Sequence, residues 1–201
     1  MNDPVLPDPK PRTHLHTREV SYRGYKRDDG LWDFEAQMSD RRAYAYTMRE
    51  KGLMPAGEPV HNMAVRLSVD DKWVIREVVS AMANIPFGEC RQTLDPMQAL
   101  VGASVGRGWR QTIDARIGGT LGCTHMRELL FGLATVVYQT IPSYTKLQQR
   151  LAGVPDKVPS GEPVPQYLGQ CMSWNFNGPV VARHFPQYIN WPARKAAGKT
   201  D

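Results

Sequence analysis

The segment "TREVSYRGYKRDDGLWDFEAQMS", residues 17–39, constrains the fold more than any other part of the chain. Asp29-Gly30 is a two-residue turn signal between two extended runs. After it, Trp32, Phe34, Ala36 and Met38 alternate with Asp33, Glu35, Gln37 and Ser39. A period of two with one apolar set predicts a strand that buries one face and wets the other. A further strand is expected in "VHNMAVRLSVD", residues 60–70, with Met63, Val65, Leu67 and Val69 on its apolar face. His61 has the same parity and joins that face, whereas Asn62 and Arg66 point the other way. Asp70-Asp71 is expected to turn the chain. "DKWVIREVVSAMA", residues 71–83, returns as a strand or a short helix, since its alternation is poor.

Helices come next. "TLDPMQALVGASV" is expected to begin a helix, with Asp95 as cap and Pro96 in its first turn. A short helix is expected over "WRQTIDARI", residues 109–117. In "GGTLGCTHMRELLFGLATVV", Met126, Leu129, Leu130, Leu133 and Val137 recur on one helical face, and Thr124 is the expected N-cap. Strands first and helices after predict an α+β fold, an antiparallel hairpin sheet followed by a helical layer. Residues 1–16 are proline-rich and read as an extended arm, and residues 17–188 as one domain. The proline- and glycine-rich stretch from Ala152 onward gives that domain an extended C-terminal segment. Residues 189–201 read as a mobile tail.

The net charge is +5, from 25 Lys and Arg against 20 Asp and Glu, and no block of five like charges occurs. A diffuse basic excess lacks the clustering of a nucleic-acid stripe, so no nucleic-acid partner is expected. The longest apolar run, near 129–137, is too short to span a bilayer. "MNDPVLPDPKPR" lacks the apolar core of a signal peptide, and a cytoplasmic protein with no membrane partner is expected. Three cysteines, an odd number, point to reduced thiols rather than a disulfide framework. Nothing in the chain argues against a homo-oligomer.

Reactive groups fall at His61, Cys90, Cys123, His125 and Cys171. Histidine takes and returns a proton near neutral pH. Cys123 and His125 flank the positive end of a helix dipole, which favours a thiolate and can hold a developing oxyanion. His61, His125 and Cys123 are therefore the candidate catalytic residues, with Tyr22, Arg66, Trp109 and Arg110 as candidate substrate contacts. The competing readings are a satisfied core histidine at 61 and small buried fillers at Cys90 and Cys171. There is no CxxC, HxxxH or HExxH, so no metal is expected. "GASVGRG", residues 102–108, lacks the lysine of a P-loop, and no dinucleotide fingerprint follows a strand.

The pieces "RDDGLWDFEAQMSD", "AGEPVHNMAVRLSVD", "IPFGEC", "GWRQTIDARIGGTLGCTHMREL" and "QCMSWNFNGPVV" together resemble a bacterial family known as domain of unknown function 2889. The resemblance runs from about Arg18 to Pro186, and "GCTHM" before a helix and "GEPVHNM" on a strand are its most specific parts. Two departures are Asn62, where the family more often has an acidic residue, and "GQC", where an aspartate is expected shortly before Cys171. The resemblance implies catabolism of aromatic compounds, including lignin degradation. The implied activity is a cofactor-free lyase that cleaves a carbon–carbon bond of an aromatic dimer and releases formaldehyde, giving a stilbene-like product. His125 would serve as acid and His61 as base, with Tyr22, Trp32 or Trp109 as aromatic walls, and a small aromatic substrate as partner. Two other classes stay open: a Cys123-dependent hydrolase or thioesterase-like enzyme, and a non-catalytic module that binds an aromatic ligand.

Overall fold

In a computed structural model of the chain, residues 6–155, 159–161, 163–165 and 167–198 are described. The chain divides into two units, Met1–Thr145 and Lys146–Asp201. This division replaces the expected single domain over 17–188.

The first unit is built on a four-stranded antiparallel sheet in the order β1-β2-β5-β6. Its strands are β1 (His16–Lys26), β2 (Trp32–Arg42), β5 (Pro59–Val69) and β6 (Ile75–Asn84). Between β2 and β5 the chain makes a separate two-stranded hairpin, β3 (Tyr46–Met48) with β4 (Gly52–Met54). The first hairpin closes through a longer loop than a two-residue turn, since Lys26 pairs with Trp32 and the amide of Arg27 donates to the Leu31 carbonyl. Asp29 still shapes that loop: its carboxylate accepts the Leu31 amide and pairs with Arg27. Gly30 supplies a φ of 91°, which a side chain would resist.

The segment expected as strand or helix is the strand β6. Its alternation is poor because the ladder is bulged at both ends. Val69 pairs with Ile75 and Ser68 with Glu77, so Arg76 is an extra residue; Met63 pairs with Met82 and Asn62 with Asn84, so Ala83 is another. Each extra residue flips the parity of the positions after it, and the buried positions become Ile75, Val78 and Met82.

The expected helix after Asp95 is a short 3-10 helix, Asp95–Leu100. Gly102, at φ 83°, ends it, and the chain then exchanges backbone hydrogen bonds with Ile75 at the start of β6. Beyond it lie helices α1 (Trp109–Ile117) and α2 (Thr124–Leu151). The expected stripe of α2 is buried in full, from Met126 through Val137, and continues to Ile141. It packs in one core with Trp32, Phe34, Ala36 and Met38 of β2 and Met63, Val65, Leu67 and Val69 of β5. Hydrophobic burial of this kind contributes roughly 25 cal/mol per Å² of apolar surface, and here it fixes which face of the sheet meets α2. No helix among the described residues is long and apolar enough to cross a membrane.

The second unit has its own small core of Leu168, Val181, Tyr188 and Trp191. It contains α3 (Pro179–His184) and α4 (Trp191–Ala196). The Tyr188 hydroxyl donates to the Gly161 carbonyl at 3.1 Å. Buried Trp191 makes residues 191–196 part of this core, in place of the mobile tail expected from 189 onward. Residues 199–201 of that expected tail lie outside the described residues.

Candidate active site

Three adjacent strands place Arg18, Asp40 and His61 in one cross-strand row, because Arg18 pairs with Asp40 on β2 and Asp40 pairs with His61 on β5. Asp40 has the parity of Trp32, Phe34, Ala36 and Met38, so its carboxylate is carried onto the buried face, where only 2% of the residue is exposed. A buried charge needs partners. Arg18 supplies a two-pronged one, Nε to Oδ1 at 2.8 Å and Nη2 to Oδ2 at 2.9 Å. His16 Nε2 lies 3.2 Å from Oδ1, and His61 Nδ1 lies 3.1 Å from Oδ2. Arg18 Nη1 also reaches Glu128 of α2 at 2.9 Å, which ties the sheet to the helix.

Over this row sits the first turn of α2. Its cap is Cys123 rather than Thr124: the Cys123 carbonyl accepts the Arg127 amide, and the amides of His125 and Met126 reach its sulfur. His125 Nδ1 is 4.0 Å from Cys123 Sγ. The His125 ring then meets that of His61, with centroids 4.2 Å apart and planes inclined by 49°. One continuous chain of polar groups therefore runs from Arg18 through Asp40, His61 and His125 to Cys123.

The two histidines are pushed in opposite directions. Burial lowers the affinity of His61 for a proton, as does the charge of His125, and Asp40 opposes them only in part, so His61 titrates below the ordinary histidine value. The hydrogen bond that the protonated ring donates to the Cys123 sulfur raises His125, and that outweighs its burial. For Cys123, burial pushes the thiol up, but His125 and the helix amides together bring it below its ordinary value. Burial pushes Asp40 up as well, yet the Arg18 guanidinium and the neighbouring histidines hold it below the usual carboxylate range.

A cavity of about 620 Å³ opens beside this row. His16, Asp40 and His61 form its inner wall, and Tyr44, Tyr46 and Phe87 are among its outer lining. His125 touches His61 and Cys123 touches His125, but neither is part of this lining. Asp40, His61 and His125 each offer one ligand atom, and these lie within 4.8 Å of one another, so they are the residues that could hold a metal ion. Both Asp40 oxygens already carry two nitrogen contacts each, which fills the carboxylate's capacity. A metal would have to displace Arg18 or a histidine.

The four expected substrate contacts lie elsewhere. Tyr22 packs its ring against Gly132 of α2, and burial raises its phenol. Trp109 is buried and donates Nε1–H to the Leu130 carbonyl at 2.9 Å. Arg110 stacks on Phe131 at 4.0 Å. Arg66 is on the opposite face of the sheet, 3.5 Å from Glu35. Asn62, also on that face, accepts from Gln37, and the acidic residue expected there would lie away from the histidines. Cys90 is half-buried against the core, and Cys171 is exposed in the second unit. The stretch Gly102–Gly106 has the spelling G-x-S-x-G, but Ser104 forms an antiparallel bridge with Val74 and has no positive φ, so it builds no nucleophile elbow.

Asp40, Arg18 and His16 are the site residues that sequence reasoning misses. A signal exists for Asp40, an acid in phase with four apolar positions. His16 reads in sequence as part of an arm, but it opens β1.

No curated protein and no solved structure gives a significant match to the chain. A family model described as "Protein of unknown function (DUF2889)" matches residues 16–139, which covers the sheet, α1 and the first half of α2 together with every residue of the Arg18-to-Cys123 chain. The protein belongs to the DUF2889 family.

Proposed function

We propose that the protein is an acid–base lyase that works with two histidines and no cofactor, on an aromatic dimer bearing a primary alcohol. The observation that carries this reading is the contact of His61, backed by Asp40, with His125, backed by Cys123, at 4.2 Å. Paired groups whose surroundings push their proton affinities apart divide into a base and an acid. His61 is the base: Nδ1 is engaged by Asp40, which leaves Nε2 for proton exchange and stabilises the imidazolium once formed. His125, held protonated beside the Cys123 sulfur, is the acid.

The reaction balances without an oxidant. His125 gives its proton to the departing phenoxide or hydroxyl, and the para-phenol gives its own proton to solvent, which later returns one to the phenolate, as a quinone methide forms. His61 then takes the proton of the side-chain hydroxyl. The carbon–carbon bond breaks, formaldehyde leaves, and the released electron pair restores the aromatic ring as a phenolate, which is reprotonated. The histidines end with exchanged protonation states, and one proton passed from His61 to His125 resets both. Each such transfer contributes roughly 10²–10⁴-fold.

A second reading, a Cys123 nucleophile with His125 as base, is favoured by the sulfur's place at the start of α2 and its 4.0 Å approach to His125. The cavity is lined by His61 and by neither His125 nor Cys123, so it supports a base at His61 and gives the thiol no lining position. The test is incubation with a phenylcoumaran and with a diarylpropane, following formaldehyde and near-ultraviolet absorbance together. Simultaneous growth of both signals is expected; silence on both substrate types rejects the lyase.

A further inference from the structure

The outer part of the cavity has a chemistry of its own. β2 runs past Asp40 to Arg42, which shares its parity, and the chain then carries Tyr44 and Tyr46 into the small β3–β4 hairpin. The Arg42 guanidinium lies 3.9 Å from the Tyr46 ring centroid and 5.9 Å from that of Tyr44. The two tyrosine rings are 6.3 Å apart and inclined by 66°. Phe87, 52% exposed, also lines the cavity, and Tyr44 is 46% exposed. Aromatic surface left open to water at a cavity mouth is surface that a flat ligand would cover.

Arg42 makes no ion pair with any carboxylate among the described residues. A guanidinium stacked on an aromatic face keeps its in-plane N–H edge free, and that edge matches a carboxylate or phenolate. The remaining charges of the lining are Arg49, Glu50 and Asp40. Asp40 is engaged by Arg18, His16 and His61, so it does not hold Arg42, and the Arg42 guanidinium is a cation of the lining with no carboxylate ion pair of its own. A volume of about 620 Å³ is in the range of drug-sized ligands of two rings.

We propose that this outer cavity is a recognition site for a flat aromatic ligand carrying a negative charge, with Arg42 as the anion contact and Tyr44, Tyr46 and Phe87 as the ring walls. The proposal rests on the lyase reading for the role of the site, and it adds the charge of the substrate and the residue that selects it. The ligand's anionic end faces Arg42, and its other end points inward to His61.

The test is isothermal calorimetry with 4-hydroxy-3-methoxycinnamic acid and with its methyl ester, on the full chain. The acid is expected to bind about tenfold or more tightly than the ester, as a charge-assisted bidentate contact would give. Arg42→Gln is expected to remove that preference while leaving ester binding in place, and Tyr46→Ala to weaken both ligands. Equal binding of acid and ester, no binding of either, or an undiminished preference in Arg42→Gln would overturn the proposal. The readout does not depend on turnover. Selective binding without formaldehyde release would sink the lyase reading alone, and formaldehyde release without acid preference would sink this one alone.

Discussion

His61 and His125 touch ring to ring at 4.2 Å, yet one belongs to a central strand and the other to the first turn of a helix 64 residues later. Each has its own partner, Asp40 for His61 and Cys123 for His125. The partners set the direction in which each ring titrates, and the pH profile of turnover should display both. As the proposed base, His61 would act when neutral, and it titrates below the ordinary histidine value, so the acid limb is expected below that value. As the proposed acid, His125 would act when protonated, and it titrates above the ordinary value, so the alkaline limb is expected above it. Turnover should therefore follow a bell that straddles ~6.5, with limbs belonging to the coupled pair. A single sigmoid, or a bell wholly to one side, would contradict the assignment.

Asp40→Asn separates positioning from stability. The amide keeps the shape but loses the charge that orients and stabilises the His61 imidazolium, so turnover should fall by ~10²-fold. Arg18 loses its buried partner, and stability should drop by about 1–3 kcal/mol, tempered by its exposure to solvent. The sign of the pH effect is fixed: a carboxyl held below its ordinary value contributes stability above the ordinary carboxylate range and loses it as pH falls through the lowered value. The variant's melting temperature should be flatter than the wild type's in acid. An equal acid slope in both proteins would show that Asp40 is not the group responsible.

Cys123→Ser distinguishes a supporting sulfur from a nucleophile. Serine can still accept the first-turn amides of α2, so the fold should hold. His125 loses the neighbour that raises it, and the alkaline limb should move to lower pH while turnover at the optimum changes by less than ~10-fold. Complete loss of activity with a trapped covalent adduct in the wild type would favour the thiol instead.

Chelation tests the third use of these groups. Because Arg18 and the two histidines already fill the Asp40 oxygens, activity and melting temperature should survive a strong chelator. Stoichiometric metal in the purified protein, lost together with activity, would move Asp40, His61 and His125 into the role of ligands.

The parts of this site that are legible in the sequence are those governed by periodicity. Strand parity puts His61 on the buried face, and helix phase puts His125 at the edge of the α2 stripe. Parity also holds the signal for Asp40, but an acid at the end of a strand reads as a solvated terminus until the pairing partners are known. Arg18 and His16 reach Asp40 through cross-strand register, which no single strand encodes. Tyr22 and Trp109 are aromatic for packing: one lies against Gly132, and the other hangs its N–H on the Leu130 carbonyl. Residue type alone cannot tell those walls of the core from Tyr44 and Tyr46, the aromatic residues that do line the cavity. The poor alternation of β6 has a local cause, two bulges, that is visible only in the ladder.

In the proposed lyase, His61 and His125 together carry out the proton transfers of a formaldehyde-releasing cleavage. The most direct measurement is the rate of formaldehyde release from a phenylcoumaran or diarylpropane by the wild type, His61→Gln and His125→Gln, with circular dichroism confirming the fold of each. Release by the wild type and a fall of ~10²-fold or more in each variant, with the fold intact, are expected. Full activity in both variants, or no formaldehyde from the wild type on either substrate, would contradict the lyase reading.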